Sequence, residues 1–263
     1  MIYHYCSEEV FHKITQTQII WLSDISKMND NDEYKSGYQI LREILKSHNL
    51  SDDDLVFEMS EKNLNKSFHI LIACFSKKGD LKSQWNEYAD NGKGFSIGFD
   101  EELLMQNNLF NRFIENSMEP ISSKVEFIPV NYDIEKFKEQ AEKIIKQYLE
   151  PKSPIKMKLL ARELMYLSIE YKNIFFKEEN EIRAVITPEH KLDDKYKINI
   201  RETKHGDAYY HELKTYYNNF SSIKEIVLGP KNDYTLQDIN SILSERGLSD
   251  VNIKVSNGCG KYR

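Results

Sequence analysis

Tyr3-His4-Tyr5-Cys6-Ser7, Ile20-Trp21-Leu22-Ser23-Asp24 and Met28-Asn29-Asp30-Asn31-Asp32-Glu33-Tyr34 make up the stretch on which the fold turns. Ile2 to Cys6 reads as a strand from its aromatic content. On that strand Tyr3 and Tyr5 face one way, and His4 and Cys6 the other. Ser7 is placed to cap a helix whose apolar positions Val10, Phe11 and Ile14 follow helical spacing. Gln18 to Leu22 reads as a second strand, and Asp32 to Lys46 as an amphipathic helix with Tyr38, Leu41, Ile44 and Leu45 on its stripe.

Working outward, His69 to Phe75 is a nearly continuous apolar run, hence a buried strand. Gly79-Asp80 is expected to cap a helix through Ala89, which Asn91-Gly92 ends before a strand over Gly94 to Phe99. Ser51-Asp52-Asp53-Asp54 reads as an acidic helix start. Ile134 to Leu149 and Ile155 to Lys172 read as Lys-rich helices broken at Pro151 and Pro154. Strand signals return at Glu181 to Ile186, Lys195 to Arg201, Lys224 to Leu228 and Val251 to Val255, with a helix over Tyr234 to Arg246 capped by Thr235. Short early helices and late strands give an α+β class rather than a doubly wound parallel sheet.

The chain has 263 residues, 40% hydrophobic and 12% aromatic, which suits one domain over 1–263 with a helical insertion near 133–172. A net charge of −6 argues against broad phosphate-backbone binding, though not against a local basic patch. No apolar run approaches the roughly 20 residues that cross a bilayer, and no signal peptide is visible. Three scattered cysteines, Cys6, Cys74 and Cys259, favour a reduced, cytoplasmic setting.

Three segments carry candidate chemistry. His4 either donates to a ligand or is a satisfied core histidine. Gln84-Trp85-Asn86-Glu87-Tyr88 places Trp85 and Tyr88 three apart, as a stacking platform or as core. Glu178-Glu179-Asn180-Glu181-Ile182-Arg183 puts Glu179, Glu181 and Arg183 on one face and Ile182, Ala184 and Ile186 on the other. That row is either a reactive carboxylate steadied by a guanidinium or a solvated face with an ordinary ion pair. Asp24, Asp30, Asp32 and Glu33 could hold a hard cation, but capping explains Asp30 or Asp32 more simply. Cys74 reads as an inert buried thiol. His205 and His211 lack the partners of a zinc site, and the glycines of Asn91 to Gly98 follow a helix, the reverse of a phosphate-cradling loop.

YHYCS, IIWLSD, MNDNDEY, CFSKKGDLKSQWNEYADNGKGFSIGFD, FFKEENEIR, IKEIVLGPKN and the closing KYR together resemble the DUF2971 family of bacterial proteins, from Tyr3 to Arg263. More distantly, a first strand with His, an aromatic middle motif and a late strand with Glu are similar to the His–Tyr–Glu ADP-ribosyltransferases. That likeness implies a split mixed or antiparallel β core with flanking helices. It implies NAD as substrate and no metal. His4, with Tyr5 and Ser7, would hold the ribose and nicotinamide amide, Tyr88 or Trp85 would stack on nicotinamide, and Arg183 would contact the cofactor. Glu181 would be the catalytic carboxylate and Glu179 would orient the acceptor, a protein or a nucleic acid. The company such families keep implies a bacterial toxin or phage-defence role, with an antitoxin or sensor protein as partner and no membrane. Two rivals stand beside it: a metal-dependent nucleic-acid hydrolase using Asp24, Asp30, Glu179 and Glu181, and a non-catalytic nucleotide- or partner-binding module.

Overall fold

The computed structural model describes residues 1–25, 31–50, 70–112, 121–148, 153–186, 199–203, 206–218 and 220–261. Ser51 to Asp54, Asp30, His69, His205 and Arg263 lie outside them, as do the side chains of Asp32 and Glu33. The readings placed on these residues are therefore not described.

The class is α+β, with a ten-stranded, mostly antiparallel open sheet. β1 (Ile2–Cys6) leads into α1 (Glu8–Thr17), which Ser7 caps by accepting from the Val10 amide. Gln18, at φ 56°, turns the chain into β2 (Ile19–Asp24). α2 (Asn31–Ser47) and β3 (Leu71–Ser76) follow. α3 (Lys82–Tyr88) precedes β4 (Phe95–Phe99) and α4 (Glu101–Gln106). β5 (Leu109–Arg112) and β6 (Ile121–Lys124) form a separate hairpin ahead of β7 (Glu126–Pro129). The helices α5 (Ile134–Tyr148) and α6 (Pro154–Glu170) give way to a 3-10 turn, Ile174–Glu179, and then β8 (Glu181–Ile186). β9 (Asn199–Thr203), β10 (Gly206–Lys214), the short pair β11 (Tyr216–Tyr217) and β12 (Phe220–Ser221), β13 (Ile223–Leu228), α7 (Leu236–Glu245) and β14 (Asn252–Val255) complete the order.

Of the strand expected over Lys195 to Arg201, the part among the described residues, from Asn199, lies in β9; Lys195 to Ile198 lie outside them. β7 and the long β10 were not legible, because their polar and tyrosine-rich sequences do not alternate cleanly. Asp80 does not cap α3: the residue at the cap position is Leu81, with no side-chain bond. Asp80 instead accepts from Trp85 Nε1 at 2.7 Å, Ser256 Oγ at 2.6 Å and the Asn257 amide at 2.8 Å, tying the end of the chain to α3.

Alternation along the strands builds two cores. Ile2 and Cys6 of β1, Leu71, Ala73 and Phe75 of β3, and Ile182, Ala184 and Ile186 of β8 pack against Phe11 and Ile14 of α1 and Ile239 and Leu243 of α7. Ile72 of β3 and Val185 of β8 point to the opposite face. There they meet Leu41 and Leu45 of α2, Phe137, Ala141 and Ile145 of α5, and Leu160, Leu164 and Met165 of α6. Farther along that second face, α3 lays Trp85 and Ala89 on Tyr5 and Val227.

The feature that positions the candidate site is a fork at β3. β8 follows one edge of β3 through all six residues, from Leu71↔Ile186 to Ser76↔Glu181. The other edge is shared. β2 pairs with its start, at Asp24↔Leu71 and Ser23↔Ile72, and β1 with its end, at Tyr3↔Ser76. One arm continues through β4, β13 and β14, and the other through β10 and β9.

Candidate functional site

His4 stands where β1 leaves β3. Its Nδ1 lies 3.1 Å from the Cys74 carbonyl oxygen, filling an edge position that neither β1 nor β2 pairs. Its ring tilts against Phe75, with centroids 5.8 Å apart. Burial lowers its pKa, and the Cys74 carbonyl only partly offsets this, so the imidazole is neutral near pH 7. His4 shares the face of Ile2, Cys6 and Phe75, the first core.

Glu181 belongs to the other face, in the row Tyr3–Ser76–Glu181 set by the register of β1, β3 and β8. His4 and Glu181 therefore flank β3 from opposite sides of the sheet, and the expectation that an imidazole and a carboxylate line one cleft is corrected to that extent. The reason is the period of two: positions 2, 4 and 6 of β1 face the first core, while the row that reaches Glu181 passes through Tyr3.

Around Glu181 the chain assembles four charges. α6 ends at Glu170, and Tyr171 turns extended and buries against Phe137, with ring centroids 4.6 Å apart. This sends Lys172 inward. Its Nζ reaches Glu181 Oε2 at 3.0 Å and Glu179 Oε2 at 2.5 Å, and it sits 4.7 Å over the Phe176 ring. Asn173 caps the 3-10 turn by accepting from the Phe175 amide, and Asn180, at φ 47°, redirects the chain into β8. Arg183 donates from Nε to Glu181 Oε1 at 2.7 Å and from an Nη to the Ile169 carbonyl at 2.6 Å. The Glu181 amide donates to the Tyr132 hydroxyl at 3.0 Å.

Lys172 and Arg183 are each 2% exposed and Glu181 is 5%, so the row is buried, not the solvated face that the sequence also allowed. Burial opposes the Glu181 anion, but Arg183 and Lys172 outweigh it and hold the pKa at about 2. Burial also pushes the Tyr132 phenol up to about 12. Cys74, beside this group, is raised well above the usual thiol range by burial and by Glu181, consistent with an unreactive thiol. Two cations against two carboxylates make a neutral cluster. Among the described residues no group of three His, Cys, Asp or Glu could hold one.

The remaining candidates separate by burial. Trp85 is 1% exposed, edge-on to Tyr5 at 4.9 Å and bonded to Asp80, so it offers no ring face to a ligand. Tyr5 is equally structural: its hydroxyl donates to the Lys78 carbonyl at 2.8 Å and accepts from the Leu81 amide at 2.9 Å. Ser7 is occupied as the α1 cap. Arg183 is spent on Glu181 and Ile169. Tyr88 differs, being 40% exposed at the end of α3. Asp24 is buried. Lys172 and Tyr132 are members that sequence reasoning missed, and no signal in the chain marks Lys172 among 36 basic residues. A groove of about 600 Å³ between the outer faces of α5 and α6 contains none of the candidates.

The site is thus a buried, charge-balanced acid at the fork of an α+β sheet, with an exposed tyrosine on the helix that covers the same face. Residues 84–184, from α3 through most of β8, match the family described as protein of unknown function DUF2971, which bears out the DUF2971 resemblance over that central stretch. Comparison with the curated proteins finds no match, and neither does comparison with the solved structures.

Proposed function

We propose that the chain binds NAD beside the fork and cleaves its nicotinamide–ribose bond, passing the ADP-ribosyl group to an acceptor or to water. The observation that carries this reading is the Glu181 carboxylate, kept ionised by Lys172 and Arg183 and fixed across β3 from β1, in the row Tyr3–Ser76–Glu181. Cleavage builds positive charge on the ribose. A preorganised carboxylate stabilises that charge and holds a ribose hydroxyl. Glu179, at the end of the 3-10 turn, is 12% exposed and joined to Glu181 through Lys172, so it is the acid nearer solvent. Of Trp85 and Tyr88, Tyr88 is the one with an accessible ring. On this reading His4 holds the fork open through Cys74 rather than touching the sugar.

Incubation with nicotinamide-labelled NAD tests it. Wild-type protein should release nicotinamide, Glu181→Gln should lose at least a hundredfold of that rate while remaining folded by circular dichroism, and Tyr88→Ala should raise the KM. Absence of both NAD binding and nicotinamide release in the wild type overturns the proposal.

A second reading, a nucleotide-binding module without turnover, is favoured by one specific fact: both Glu181 oxygens are already engaged by cations. It predicts NAD binding that Glu181→Gln leaves intact and no nicotinamide release.

A further inference from the structure

Phe175 is 83% exposed and its neighbour Ile174 62%, the first an unusual exposure for so large an apolar ring. The exposure is built in. The Phe175 amide is held by Asn173 Oδ1 at 2.9 Å, and its ring packs edge-on against Phe176 at 5.2 Å, which in turn lies under Lys172. The segment Ser76 to Lys78 is fastened alongside. Ser76 Oγ donates to the Glu179 carbonyl at 2.6 Å, the Lys77 amide to the Asn180 carbonyl at 2.9 Å, and the Lys78 amide to Ser76 Oγ at 3.1 Å. Lys77, Lys78 and Lys177 are exposed on these two tied segments, and among the described residues their ammonium groups have no carboxylate partner. In a chain of net charge −6, three such cations on two segments tied to each other, one of which carries Phe175, with Glu178 the one exposed acid of the 3-10 turn, form a local basic patch.

From this we infer that the rim formed by the β3–α3 segment and the 3-10 turn binds single-stranded nucleic acid, with Phe175 stacking on a base and Lys77, Lys78 and Lys177 contacting phosphates. A strand supplies both halves of the complement, a flat π face and a regular row of negative charge. A duplex hides its base faces and leaves Phe175 without a partner. The inference goes beyond the NAD reading, because the rim needs neither NAD nor an active Glu181. If both hold, the strand lies beside Glu179 as acceptor.

Fluorescence anisotropy with a labelled oligonucleotide of about twelve nucleotides, without NAD, tests it. Wild-type protein should bind the single strand more tightly than the matching duplex. Phe175→Ala should weaken binding roughly tenfold at every salt concentration. The triple variant Lys77→Ala, Lys78→Ala, Lys177→Ala should weaken it and reduce the salt slope by about 2, from roughly 0.7 per phosphate contact. All these side chains are on the surface, so unchanged melting curves should accompany the losses. No binding at low salt, equal affinity for duplex, or binding indifferent to Phe175→Ala overturns the inference. Glu181→Gln should bind as the wild type does, so a failure of NAD cleavage leaves this result separately readable.

Discussion

Glu181 shows how one residue's role is set by its company. Both its oxygens are matched by Lys172 and Arg183, so removing it takes a carboxylate from two buried cations and leaves Lys172 with Glu179 and Arg183 with the Ile169 carbonyl. Glu181→Ala should cost roughly 3–5 kcal/mol by chemical denaturation. Linkage gives the pH dependence. The folded pKa is held at about 2 against an ordinary 4.5, so the unfolded chain binds the proton first as pH falls. The cluster's contribution is complete above about pH 4.5 and is lost as pH falls toward 2. Melting curves across that window should show the loss, and it should be absent from Glu181→Gln. The alternation of Glu181 and Arg183 was legible in the sequence, as was the opposite apolar row, whereas Glu179 joins them from the 3-10 turn and not from the strand on which alternation placed it. The burial of the charged row was not, because the partner that neutralises it arrives from the end of α6.

At the scale of elements, α3 divides its two aromatics. Trp85 is core and Tyr88 is surface, although spacing alone places them on one face. The α3 helix has only seven residues and lies over Tyr5 and Val227, so its apolar contact is narrow and only one of the two rings enters it. Trp85→Ala should therefore destabilise by roughly 3–5 kcal/mol, while Tyr88→Ala should change stability by less than about 1 kcal/mol. Equal melting temperatures for the two variants would refute the division. The caps follow the sequence more faithfully. Ser7 and Thr235 act locally and were readable as caps, and in the structure Thr235 forms a full capping box with Asp238. Asp80 was misread because its partners Ser256 and Asn257 lie at the far end of the chain.

Across the whole molecule, the fork governs what meets what. β3 has a continuous neighbour on one edge and two partial ones on the other, and His4 bridges the remaining position through Cys74. Replacing it with Phe removes that bond. Amide exchange around 73–75 should speed up, and stability should drop by about 1 kcal/mol. His4 also carries a pH signature of its own. Its folded pKa lies below the ordinary 6.5, so its contribution is present above about pH 6.5 and is lost as pH falls below that toward the lower folded value. His4→Phe should flatten the stability profile there while leaving the Glu181 step untouched. Among the described residues no helix is long and apolar enough to cross a membrane.

By itself the sequence determined the α+β class, most strand and helix positions, the two faces of β8 and the local caps. Each of these rests on a period of two or 3.6, or on a side chain bonding its own neighbours, and such forces act within a few residues. Only the tertiary structure decided that His4 and Glu181 stand on opposite faces, that Lys172 completes the buried cluster, and that Phe175 stays exposed while Trp85 does not. Those outcomes depend on which distant strand pairs with which edge of β3. Pairing register is a property of the assembled sheet, and one residue of shift reverses the face on which every side chain lies.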